Sequence, residues 1–165
     1  MKKRGQSQII STILLILIAV AAIFIILNFV VPFVKDKLLE TKCIDALDKI
    51  EITNNEMYTC YDDTNKNLRV QISLKDISDD LIKGFQLNIE RLGQIEYSVD
   101  ITPDNPDNIG LYNPAESFRV PGKNEEVTYL IDDVMNKPDS ISLIPLLKNG
   151  KICKPYNLNY INSCP

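Results

Sequence analysis

The sequence predicts an α+β chain: one long hydrophobic N-terminal helix of transmembrane character, followed by an all-β sandwich. Three observations carry that reading. The thirty residues from Gly5 to Val34 contain no charge. From about Ile50 onward apolar residues recur at every second position, the period of a half-buried strand. Charge is also segregated along the chain. Lys2, Lys3 and Arg4 are the only charges before Lys35, and residues 35–165 carry the other 15 basic side chains and all 22 acids, a net of −7. The formal net charge of −4 over 165 residues therefore averages a basic tip with an acidic body, and that body has the size of one domain.

The helix comes first. Ile13 to Leu27 is unbroken apolar, and only Asn28 and Pro32 interrupt the remainder of the run to Val34. A spanning helix needs about 20 predominantly apolar residues. The sixteen Leu, Ile, Val and Phe between Ile13 and Phe33 contribute about −5 to −10 kcal/mol of insertion energy, which Asn28 and Pro32 offset only in part. Lys2, Lys3 and Arg4 favour a cytoplasmic N-terminus, leaving the acidic body outside. The run is too long for the apolar region of a secretory signal peptide, and Val34-Lys35-Asp36-Lys37 is no small-residue cleavage site. Ile9 to Val34 as a helix measures about 39 Å, more than a bilayer core requires. Pro32 should kink or loosen its outer end. Asn28 is either an interhelical hydrogen-bond donor or an interfacial residue.

Beyond Val34, Leu38, Leu39 and the run to Leu47 keep partial helical spacing among Lys35, Asp36, Lys37 and Glu40, so the helix continues as a short stalk. The strands come after it. Leu68, Val70, Ile72 and Leu74 alternate with polar residues, as do Phe85, Leu87 and Ile89, and Ile95, Tyr97, Val99 and Ile101. The short gap holding Gly93 makes 85–101 a hairpin. Further strands are expected near 57–62, 116–120, 125–131, 140–147 and 151–161, separated by turn clusters at 62–67, 103–108, 121–124 and 149–150. About eight short strands at this spacing indicate a sandwich of immunoglobulin-like type. The chain thus divides into a basic leader at 1–5, a hydrophobic helix and stalk at 6–42, and a β-sandwich domain at 43–165.

Composition points away from an enzyme. There is no histidine, and the six glycines are scattered outside any phosphate-cradling motif. No basic stripe offers itself to nucleic acid. Asp63, Asn65 and Asn67 have the 1-3-5 spacing of a calcium loop, but Leu68 and Leu74 stand where that loop needs Gly and Glu, so the cluster reads as a hairpin turn. No metal site and no cofactor is expected, and no Asn-x-Ser/Thr acceptor occurs. The four cysteines, Cys43, Cys60, Cys153 and Cys164, all fall on the outer side, where an even number suggests two disulfides. Zinc ligation and free thiols are the alternatives, though the spacings contain no C-x2–4-C knuckle. Of the three possible pairings, Cys43–Cys60 with Cys153–Cys164 is the most local.

The N-terminal run Lys2-Lys3-Arg4-Gly5-Gln6-Ser7-Gln8-Ile9-Ile10-Ser11-Thr12-Ile13-Leu14-Leu15 resembles the start of archaeal type IV pilins and archaellins. That resemblance implies a class III signal peptide, cut on the cytoplasmic face by a membrane-embedded prepilin peptidase between Gly5 and Gln6. Lys3, Arg4 and Ser7 would be the recognition residues. It also implies that the hydrophobic helix stays on the mature protein as a filament core. The partners implied are copies of the chain or other pilins, the assembly ATPase with its membrane platform, and the lipid bilayer before assembly. Many archaeal members have Ser then Pro at the second and third mature positions; this chain has Ser7 and then Gln8. Ile10 stands at the fifth mature position, where bacterial pilins usually carry Glu.

The cut also makes physical sense from the residues. Three fixed charges anchor the helix's cytoplasmic end, because drawing each through hydrocarbon costs about several kcal/mol. Removing residues 1–5 deletes that anchor, and glycine lets a protease approach an extended backbone. Two other readings remain open on sequence: a single-span surface protein whose sandwich binds a ligand or a partner cell, and a minor pilin that primes or tips a filament.

Overall fold

The computed structural model describes residues 4–77, 81–104 and 108–165, with side chains described from Ile10 onward. It divides into two compact units, Met1–Thr41 and Lys42–Pro165. Helix runs from Arg4 to Leu47 in three pieces: α1 (Arg4–Ile25), a π turn (Ile26–Val30) and α2 (Val31–Leu47). The π turn sits immediately before Pro32. Proline has no N–H and crowds the carbonyl four residues back, and widening one turn accommodates both. The ladder accordingly skips a residue, with Val31 N–H donating to the Ile26 carbonyl. This is the loosening expected of Pro32.

The second unit is two sheets around one core. The first holds β1 (Ile50–Ile52), β2 (Cys60–Asp62), β3 (Asn67–Leu74), β6 (Ile109–Leu111), β7 (Glu125–Ile131) and β10 (Asn162–Ser163). It is ordered β10-β2-β3-β7-β6, with β1 also on β3. The second sheet is β5-β4-β8-β9, from β4 (Ile82–Arg91), β5 (Gln94–Ile101), β8 (Ser140–Leu147) and β9 (Tyr156–Leu158). Leu68, Val70, Ile72, Leu74, Tyr129 and Ile131 of the first sheet form one buried cluster with Phe85, Leu87, Ile89, Ile101, Ile141 and Leu143 of the second. These are the inward positions of the alternating pattern, so the predicted architecture, an apolar helix followed by a two-sheet sandwich, is what the chain adopts.

Two details depart from simple alternation. β1 and β2 lie end to end along one side of β3: Ile52 pairs with Ile72, and Cys60 with Arg69. Gln71 falls between them. Its carbonyl accepts Thr53 N–H at 3.0 Å, and its own N–H donates to Thr59 Oγ1 at 3.1 Å. In the β4–β5 hairpin, Ile89 pairs with Tyr97 but Glu90 pairs with Ile95, so Glu96 is an extra residue. That bulge turns Ile95 onto the outer face. The alternation read from sequence holds for Tyr97, Val99 and Ile101 but not for Ile95, which is 58% exposed.

Three expected strands differ. Residues 116–120 form no strand; the chain pairs earlier, as β6, and 116–122 is held by side-chain contacts to Arg119 and Glu125 instead. The strand expected at 57–62 shortens to 60–62, because residues 56–58 turn, with Tyr58 and Thr59 N–H on the Asn55 carbonyl. The strand expected at 151–161 splits. After an isolated bridge at Ile152 and then Pro155, β9 joins β8 in one sheet, and β10 crosses to pair in parallel with β2 in the other.

Candidate functional site

The helix is the first candidate. Every Leu, Ile, Val and Phe from Ile10 to Val34 is exposed, around the full circumference and not along one stripe. A helix apolar all round belongs inside a larger apolar body or a bilayer. By length and composition, Ile10–Leu47 is able to cross a membrane, and its most apolar window has a mean hydropathy of 3.2. Asn28 Nδ2 donates to the Phe24 carbonyl at 2.8 Å, which uses one of its two amide hydrogens and leaves both roles considered for Asn28 open.

The junction predicted from the leader lies at the start of α1. Arg4, Gly5, Gln6 and Ser7 are all in helical backbone, and Lys3 lies outside the described residues. An extended substrate conformation at Gly5-Gln6 therefore requires this helical backbone to open.

All four cysteines are disulfide-bonded, and the most local pairing is not the one formed. Cys43 joins Cys153 (S–S 2.05 Å, Cα–Cα 5.3 Å) and Cys60 joins Cys164 (S–S 1.98 Å, Cα–Cα 4.9 Å). The reason is the crossing tail. β10 runs in parallel beside β2, which sets Cys164 N–H on the Tyr61 carbonyl at 2.9 Å and its thiol against Cys60. Cys153 N–H is held by the Pro145 carbonyl at 3.0 Å, and Cys43 is buried with Ala46 in the last turns of α2. Sequence separation favours near neighbours, and nothing in the cysteine spacing signals a strand that changes sheets.

The polar groups of the sandwich are used for turns and braces. The Asp62 carboxylate accepts the N–H groups of Thr64 and Asn65 and the Asn65 amide. The Asn65 side-chain bond, ahead of the backbone ones, holds Asp62 below the usual carboxylate range. This is the hairpin turn expected for 62–67. Glu125 accepts Gly122 N–H at 2.7 Å and Arg119 Nε at 2.9 Å, and the Gly122 bond is the largest cause of its lowered pKa. Buried Tyr129 donates to the Arg119 carbonyl at 2.7 Å, and burial pushes its phenol well above the ordinary value.

A groove of about 420 Å³ opens beside β5, lined by Tyr97, Val99, Asp100, Ile131, Asp132 and Asp133 among others. Among the described residues, no three His, Cys, Asp or Glu side chains converge as metal ligands. No protein-family model matches the chain, and no curated protein matches it either.

Proposed function

We propose that this chain is a structural subunit of an archaeal type IV pilus-like or archaellum-like surface filament. A prepilin peptidase cuts it between Gly5 and Gln6, and it assembles through its N-terminal helix with the sandwich displayed outward. The observation that carries this reading is the unbroken exposure of apolar side chains from Ile10 to Val34, directly after Lys2-Lys3-Arg4-Gly5. Such a surface is covered first by lipid. Once the three charges that tether its end are gone, it is covered by the same surface on other copies. Two disulfides in the sandwich fit an oxidising exterior, which agrees with the basic end remaining cytoplasmic.

The test is intact mass and N-terminal sequence of the protein from cells carrying an archaeal prepilin peptidase, beside a Gly5→Val variant. A mature chain beginning at Gln6, with the variant uncut, is the expected result. A chain that keeps Lys2 to Gly5 would overturn the reading and leave a single-span surface protein whose sandwich binds a ligand or partner.

A further inference from the structure

The apolar surface of the helix carries one polar node. Between Ile13 and Val34, Asn28 alone has a hydrogen-bonding side chain. One of its two amide hydrogens goes to the Phe24 carbonyl at 2.8 Å, and the other has no acceptor among the described residues. The backbone beside it is incomplete in the opposite sense. The Leu27 carbonyl can accept from residue 31 in an α-helix or from residue 32 in a π turn. Val31 N–H donates to Ile26 instead, and residue 32 is proline, which has no N–H. The π turn that accommodates Pro32 therefore leaves the Leu27 carbonyl with neither donor. An unused donor and an unused acceptor thus stand on consecutive residues, both exposed.

The node lies within the apolar surface and not at its rim. Phe29 to Val34 separate Asn28 from Lys35, the first charge beyond it, which is about 10 Å of helix. Hydrocarbon offers neither donor nor acceptor, so both groups stay unpaired against lipid tails. What satisfies them must bring an acceptor and a donor to the same depth. A second copy of this chain does so, because the same basic end gives every copy the same orientation. The node is self-complementary between parallel helices.

We infer that Asn28 of one copy donates its second amide hydrogen to the Leu27 carbonyl of a parallel neighbour. A uniformly apolar helix fixes no register against its copies, whereas a single polar group among apolar ones does. Pro32 acts through the backbone as a positioning residue: by withholding its N–H it keeps the acceptor open. This deepens the assembly reading and rests on it for the identity of the partner, a second copy meeting helix to helix.

The experiment is a double-mutant cycle on self-association of the full-length chain in phosphatidylcholine vesicles, read by energy transfer between donor- and acceptor-labelled copies. Asn28→Leu removes the hydrogen-bond donor. Pro32→Leu supplies the missing N–H, so the helix takes its carbonyls back. Each substitution should weaken association about three- to twenty-fold. The double variant should be no weaker than the weaker single one, because both remove the same bond. Circular dichroism guards against misfolding as an explanation, since both substitutions favour helix and helix content should not fall.

Additive losses would overturn the pairing of these two groups. Undiminished association in Asn28→Leu, or none in the unsubstituted chain, would overturn the contact and leave Asn28 an interfacial residue served by water and headgroups. These results leave the filament reading standing, because intact mass reads the cut between Gly5 and Gln6 separately. An uncut chain with the coupling intact would support the helix contact and overturn the filament reading.

Discussion

Thr59 Oγ1 accepts the backbone N–H of Gln71 at 3.1 Å, filling the one rung of the β3 ladder that neither β1 nor β2 reaches. Thr59 is 2% exposed and Gln71 8%, so water does not readily replace the bond. A side chain thus completes a sheet whose edge is made of two half-strands.

Thr59→Val keeps the shape and removes the acceptor. It should destabilise the sandwich by about 1–3 kcal/mol, the cost of an unpaired buried donor. Thr59→Ser should recover most of the loss. Denaturant titration of the full chain in detergent, followed by tyrosine fluorescence, measures both. A neutral Thr59→Val would mean the rung is not needed.

The crossed disulfides make a direct analytical prediction. Peptide mapping without reduction should recover Cys43 joined to Cys153 and Cys60 joined to Cys164, and no Cys43–Cys60 peptide. Replacing Cys60 and Cys164 together with Ala opens a link spanning 104 residues and should lower stability by about 2–5 kcal/mol. Loss of protection from exchange should be largest in β10 and β2, read by amide hydrogen exchange.

Acid should loosen the segment before β7. Glu125 titrates below its ordinary value of 4.5 because Gly122 N–H and then Arg119 favour its charged form; Glu116, Asp62 and Asp76 are displaced the same way. The unfolded chain therefore binds protons that the folded one does not. The stabilisation is fully present above pH 4.5 and is lost as pH falls through the lower folded values. The thermal midpoint should drop on acidification across that window, and Glu125→Gln should show a shallower drop. An equal slope in the variant would remove Glu125 from the account.

The helix is legible in the sequence as one uncharged apolar run, and β3, β4, β5 and β7 are legible because apolar residues alternate along them. The apolar run predicts the helix, and 68–74 and 125–131 predict strands that pair with each other over seven residues. The misses occur where tertiary partners decide. Ile95 keeps the period in sequence but sits beyond a bulge, which reverses its face. Phe118 and Val120 alternate like a strand, yet they pack partly buried against the core in irregular backbone. The disulfide pairing depends on a tail that changes sheets, which no local pattern encodes. Of the candidate site, the apolar surface and the basic leader were readable; the left-handed Leu92 turn was visible only as Leu-Gly in a short gap.

The pairing of early with late cysteines also orders events in time. Cys43 and Cys60 leave the ribosome 110 and 104 residues before Cys153 and Cys164. During that interval the only other thiol either can meet in its own chain is the wrong one. A bond formed between them must be exchanged before β10 can take its place beside β2, since oxidation alone does not undo it. Maturation of the sandwich is therefore a proofreading problem: the late-made strand supplies the thiol that distinguishes a finished fold from a prematurely oxidised one.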